Sequence, residues 1–180
     1  YDVGCSLGAS SLSILQGAKD AKVTAIDNSE AMIEECERRF KNLTESFHIK
    51  FICEDIMDSS LSDASIVVVN YVIQFLDLEQ RDTLLEKIYN ALLPGGILIL
   101  SEKIHHKNNF ESERIFKTHH KFKSSNGYSD LEISGKRDSL EGVLLTECEE
   151  DHILRAKKAG FINSEKILSN LNFRTFKILK

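Results

Sequence analysis

The feature that most constrains this chain is a strict alternation of short β-branched runs with helix-periodic stretches over residues 1–101. Residues 21–27 (AKVTAID), 48–53 (HIKFIC), 64–71 (ASIVVVNY) and 97–101 (ILILS) read as strands. Between them, residues 9–18 carry Leu12, Ile14 and Leu15 on a first helix. A second helix is entered at Ser29, an N-cap residue type, and sets Met32, Ile33, Cys36 and Phe40 on one face. A third spans residues 77–93. Asp77 and Gln80 have capping-box spacing there, and Leu84, Leu85, Ile88, Ala91 and Leu92 form its apolar stripe. Pro94-Gly95-Gly96 is expected to end it. Strands joined by helices must run parallel, because each crossover returns the chain to the same edge. The result is a parallel sheet with helices on both faces, in which the run 64–71 reads as buried on both sides.

The remainder breaks this rhythm. Residues 103–147 are polar, basic and helix-like, interrupted by a turn at Ser124-Ser125-Asn126-Gly127. Residues 150–160 resume as a helix with Gly160 as C-cap. Residues 161–167 and 173–179 read as an antiparallel hairpin turning at 169–172. The expectation is therefore one α/β domain over residues 1–180, mostly parallel, with an antiparallel closing hairpin and a helical cap insertion at 103–147. The chain starts at Tyr1 and its first strand reads as half spent, so an N-terminal segment is expected to be missing.

Composition narrows the function classes. A net charge of −5 argues against a broad nucleic-acid footprint. The apolar runs are too short to span a bilayer, and no signal peptide is visible. Cys5, Cys36, Cys53 and Cys148 show neither a CxxC pair nor zinc-like spacing, and read as reduced thiols of a cytoplasmic protein without a metal. His105-His106 and His119-His120 are adjacent pairs, a poor arrangement for ligating one ion.

In an open α/β sheet the ligand lies at the carboxyl ends of the strands. Gly4, Cys5 and Ser6 follow strand one in the run DVGCSLGASS, whose Gly4 and Gly8 make a tight turn into the first helix. Glycine there lets a ligand approach the backbone, with helix N–H groups facing it. Asp27 and Asn28 follow strand two, Asp55 and Ile56 follow strand three, and Asn70 closes strand four. Asp27 is placed to accept from both ribose hydroxyls, and Asp55 from an adenine amino group while the Ile56 N–H donates to the ring. Singly, Asp27 is as well read as a turn acid and Asp55 as an N-cap, but four hits in order are hard to assign to capping. A dinucleotide wants GxGxxG for its pyrophosphate. Here the spacing is Gly4-x-x-x-Gly8 with Asp2 beside it, a carboxylate that suits the cationic end of S-adenosylmethionine.

Beyond fold class, DVGCSLGAS, AIDNSEAMI, VVVNYVIQFL, LLPGGILILSEK, HHKFKSSNGYSDLEISGKRDSLEGVLLT and KAGF together resemble the carboxy-S-adenosyl-L-methionine synthases, nearly end to end. The LLPGG segment alone is similar to the class I methyltransferase fold, a Rossmann-like sheet. The resemblance implies synthesis of carboxy-S-adenosyl-L-methionine from S-adenosyl-L-methionine and prephenate, with phenylpyruvate and water released. It also implies a homodimer whose product passes to a partner enzyme that modifies wobble uridine in tRNA. It places ligand contacts at Gly4, Cys5, Ser6, Asp27, Asn28, Asp55, Ile56 and Asn70, and it adds Arg137 as the clamp for the new carboxylate. A guanidinium can make two parallel bonds to such a group. Residues 103–137 hold eight Lys or Arg against four Asp or Glu, a basic cap suited to attracting a dianion. His119 and His120 are proton-acceptor candidates in that cap; Tyr71, Gln74 and Phe75 could line the pocket. A conventional S-adenosylmethionine-dependent methyltransferase of a small molecule, and an inactive cofactor-binding domain, are the alternative readings.

Overall fold

The computed structural model describes residues 1–41, 43 and 47–180. Seven strands form one sheet in the order β3-β2-β1-β4-β5-β7-β6. They are β1 (Asp2–Val3), β2 (Lys22–Asp27), β3 (His48–Cys53), β4 (Ala64–Asn70), β5 (Leu92–Lys103), β6 (Asn163–Asn170) and β7 (Phe173–Leu179). The first five run parallel, while β7 is antiparallel to both β5 and β6. Six α-helices connect them: α1 (Ala9–Gly17), α2 (Glu30–Phe40), α3 (Leu78–Ala91), α4 (Asn109–Ser125), α5 (Asp130–Asp138) and α6 (Glu149–Lys158). None of the helices among the described residues is long and apolar enough to cross a membrane.

The chain winds outward from β1 through β2 to β3, then returns to the other side of β1 at β4. This reversal opens a crevice at the carboxyl ends of β1 and β4. Register sets what lines it. Val3 pairs with Ile26 and with Val69, Asp27 with Cys53, and Asn70 with Ser101. Gly4, Asp27 and Asn70 therefore stand at one level along the edge of the sheet.

Burial alternates residue by residue along β7 and through residues 96–100 of β5. Leu84, Leu85 and Ile88 of α3 pack with Val67, Val69, Leu98, Leu100, Phe176 and Ile178 in the main core, joined by Ala156 of α6. Leu15 of α1 and Phe40 of α2 close over Val23. The expectation that β4 is buried on both faces needs correction at its start, where Ile66 is 44% exposed. α1 and α2 pack on β2 and β3, so the face of β4 opposite α3 is only partly covered.

Three local readings also change. Helix α3 ends at Ala91, and β5 begins at Leu92, before Pro94-Gly95-Gly96. These three residues sit in the register jump that takes the partner of Ala64 at Leu92 to the partner of Ile66 at Ile97, a bulge in β5. Ser29 occupies the N-cap of α2 without a side-chain cap bond; its N–H donates to Asp27 Oδ1 at 3.0 Å instead. The closing hairpin turns more tightly than expected, over Leu171-Asn172, with Leu171 at φ 50°.

The cap is rooted at one place. Ile104 and Glu147 form a parallel bridge, and the His105 N–H donates to the Glu147 carbonyl at 3.1 Å. Arg81, fully buried in α3, donates to the carbonyls of Leu76 and Leu145 and lies 2.6 Å from Glu147 Oε2. Arg155 closes the network on Glu147 and Asp82. Beyond these roots, Ile133 is the buried residue of α4 and α5.

Candidate active site

The glycine turn is held in left-handed backbone by Gly4 (φ 67°), Ser6 (φ 48°) and Gly8 (φ 77°). Positive φ at both glycines is a backbone shape that a Cβ would strain, and the packing around them adds a second reason. A Cβ on Gly4 would collide with Val72 Cγ2, and one on Gly8 would lie 2.7 Å from Phe40 Cε2. The side chains of the protein itself, then, require the missing Cβ atoms. The N–H groups of the turn are also largely committed. Gly4 and Cys5 donate to the Ile26 carbonyl at 2.8 and 3.0 Å, Ser6 donates to Asp27 Oδ2 at 2.8 Å, and Gly8 donates to the Cys5 carbonyl at 2.8 Å. The N–H groups of the turn are thus bonded internally, which leaves those at the start of α1 as the donors that could face a ligand. Asp2 is 1% exposed and accepts from Ser11 Oγ at 2.6 Å, with burial raising its pKa. It braces the turn against α1 from beneath.

Asp27 is half-buried at the end of β2, and each of its carboxylate oxygens takes one backbone N–H, from Ser6 and from Ser29. A carboxylate offers about four lone-pair sites, so one remains on each oxygen, the arrangement a vicinal diol needs. Asn28 follows it on the surface. Asp55 is exposed; its Oδ1 accepts from the Met57 N–H at 2.8 Å in an Asx turn, while Ile56 is buried. Asn70 donates through Nδ2 to Ser10 Oγ at 2.9 Å, tying β4 to the start of α1. These residues form one rim along the crevice, and their donor set fits an adenosine bearing a polar tail.

Arg137 sits elsewhere. It lies on α5 with its guanidinium 3.1 Å from Asp138, lining a cavity of about 780 Å³ beneath the cap. Lys103, His119, His120 and Lys123 share that lining, and no rim residue does. Burial, with Lys123 and Lys103 nearby, lowers the His119 pKa and favours its neutral imidazole. Burial lowers the Lys103 pKa, and Lys123 adds to it. One aromatic links the two regions: Phe173 meets Tyr71, next to Asn70, edge-on at 5.8 Å, and His119 at 5.5 Å. Tyr71 and Phe75 are 42% and 49% exposed, while Gln74 between them is buried. Among the described residues no cluster of three metal-ligating side chains occurs.

The first 96 residues match the family model described as a methyltransferase domain. Over 182 aligned residues, the chain is 46% identical to the carboxy-S-adenosyl-L-methionine synthase of Citrobacter koseri, covering all of this chain and 74% of that protein. The chain belongs to the carboxy-S-adenosyl-L-methionine synthase family. Its fold recurs at low identity in a putative O-methyltransferase from Nostoc punctiforme (TM-score 0.73, 15% identity) and in human N-acetylserotonin methyltransferase (TM-score 0.67, 17%), solved in complex with SAM. Each alignment covers 99% of this chain but only 50% and 46% of those chains, about half their length. The architecture is thus the Rossmann-like class I methyltransferase fold.

For this member of the carboxy-S-adenosyl-L-methionine synthase family, sequence reasoning passed over Glu102. It is fully buried at the end of β5, one step beyond Ser101, the partner of Asn70. Its Oε1 accepts from the N–H groups of Val72 and Ile73 at 3.1 and 2.9 Å, while Oε2 has no hydrogen-bond partner among the described residues. Burial pushes its pKa up to about 7. The signal was present: an acid that ends an apolar strand is rarely left without a task.

Proposed function

We propose that this enzyme makes carboxy-S-adenosyl-L-methionine from S-adenosyl-L-methionine, taking the carboxyl group from prephenate. The full-chain match to the synthases carries this reading, because it runs through the cap as well as the cofactor half. Asp27 would hold the ribose, Asp55 and the Ile56 N–H the adenine, and the rim at Gly4, Cys5, Ser6 and Asn70 the amino-acid tail. The basic cavity beneath the cap would take the dianionic co-substrate, with Lys103, Lys123 and Arg137 supplying charge.

The chemistry balances without metal or redox partner. A C–H bond of the sulfonium methyl breaks, and its carbon forms a bond to the carboxyl carbon released by prephenate. The departing prephenate hydroxyl takes the proton and leaves as water, and phenylpyruvate remains. The protein's tasks are to orient the two molecules and exclude bulk water. In this reading the chain acts as a homodimer in the cytoplasm, binds no nucleic acid itself, and passes its product to an enzyme modifying wobble uridine in tRNA.

Mass spectrometry of the protein incubated with S-adenosyl-L-methionine and prephenate tests this directly. Cofactor heavier by one carbon dioxide, with phenylpyruvate formed alongside, is the expected result. A methylated acceptor and S-adenosylhomocysteine would instead establish a conventional methyltransferase. Arg137→Leu should bind S-adenosyl-L-methionine normally yet form little adduct; undiminished synthesis would remove Arg137 from the reaction.

A further inference from the structure

The turn that follows β4 is strained, and one buried side chain bonds to it twice. Tyr71 has φ 61°, a conformation that strains a non-glycine residue and persists only when its surroundings enforce it. On one side the Tyr71 N–H donates to the Ser101 carbonyl at 2.8 Å. On the other, the short 3₁₀ turn Ile73–Phe75 begins with N–H groups that lack partners within the turn. Glu102 Oε1 accepts two in succession, from Val72 and Ile73, acting as a cap supplied by the neighbouring strand.

What this cap holds in place is the crevice. Val72 Cγ2 fills the space where a Gly4 side chain would stand, so the position of Val72 sets the floor of the glycine turn. Tyr71 precedes it beside Asn70, its ring against Phe173. A carboxyl group is a poor choice for stability alone at this point. One oxygen is buried without a hydrogen-bond partner among the described residues, and an amide would satisfy the same two N–H groups without a charge to desolvate.

We propose that Glu102 is a positioning residue for the S-adenosyl-L-methionine site, holding Val72 against the glycine turn through the Val72 and Ile73 N–H groups. The proposal rests on the reading that this crevice takes that cofactor. Two variants separate geometry from charge. Glu102→Gln keeps an acceptor at the same reach. Glu102→Asp keeps the carboxylate but withdraws it by one methylene.

Calorimetric titration with S-adenosyl-L-methionine should find Glu102→Gln within about threefold of the wild-type Kd and Glu102→Asp weaker by about tenfold or more. Amide exchange should show protection of Val72 and Ile73 kept in the first variant and lost in the second. Wild-type binding by Glu102→Asp would overturn the proposal. So would equal weakening of both variants, or failure of Glu102→Asp to fold, either of which would make Glu102 a charge or stability residue. Absence of binding by the wild type would instead remove the proposed function, and this inference with it.

Discussion

Replacing Glu102 by glutamine should make the protein more stable, and increasingly so as the solution becomes more alkaline. In the folded state burial pushes the pKa of this carboxyl up to about 7, against 4.5 for the free side chain. The folded protein therefore holds the proton more tightly than the unfolded chain does. Below about pH 4.5 both states are protonated and no penalty exists; as pH rises through about 7 the folded state must ionise a buried group, and stability is lost. The raised value corresponds to a full penalty on the order of 3 kcal/mol, of which about 2 kcal/mol should develop between about pH 5 and pH 8. Urea denaturation of wild type and Glu102→Gln at those two pH values measures it. All other titrating groups are common to both proteins, so their contributions cancel in the difference. The stability gap should widen in favour of the variant toward high pH. A gap that stays constant would refute the reasoning, and would mean that the carboxylate is ionised throughout, compensated by Arg81.

Three further outcomes follow from the same physics. Glu147→Ala leaves the fully buried Arg81 without its carboxylate partner and should lower unfolding free energy by about 3–5 kcal/mol, read from the shift in urea midpoint. His152 is 2% exposed with neither ring nitrogen hydrogen-bonded among the described residues, and burial lowers its pKa to about 4. Its contribution is intact above about pH 6.5 and is lost as pH falls toward 4, so His152→Leu should resist acid better than wild type in thermal melts across that window. Asp27→Ala removes the acceptor for Ser6 and Ser29 together with the expected ribose contact. It should weaken S-adenosyl-L-methionine binding by about 2–3 kcal/mol in calorimetry; an unchanged affinity would place the ribose elsewhere.

Most of the sheet could be read from residues because each strand is short, β-branched and closed by polar residues, and because α3 carries both its cap and its stripe. The rim was equally legible, since strand-end positions in a parallel sheet converge on one edge whatever the side chains do. What could not be read depends on distant neighbours. That Val72 and Phe40 crowd Gly4 and Gly8, beyond the positive φ that a tight turn demands, shows only once the fold places them. Asp2 looks like a ligand-facing acid until Ser11, one helical turn into α1, takes its oxygen. Pro94-Gly95-Gly96 is a strong helix stop by composition, yet pairing with Ala64 draws Leu92 into the strand before it. Arg137 emerged from resemblance alone, because an exposed arginine beside an aspartate carries no local signal of a ligand.

The cap leaves the sheet and returns to it side by side, at Ile104 and Glu147. Its some forty intervening residues thus close on themselves across a single bridge, stapled there by Arg81 and Arg155. In evolutionary terms this makes the cap a cartridge. Outside that bridge it still touches the turn after β4, where the Leu145 N–H donates to the Gln74 carbonyl at 2.8 Å, and β7, where His119 meets Phe173, so an altered cap must keep those contacts for the cofactor rim to hold its shape. A scaffold that is otherwise an ordinary methyltransferase sheet could acquire a different co-substrate by changing only what hangs from that bridge.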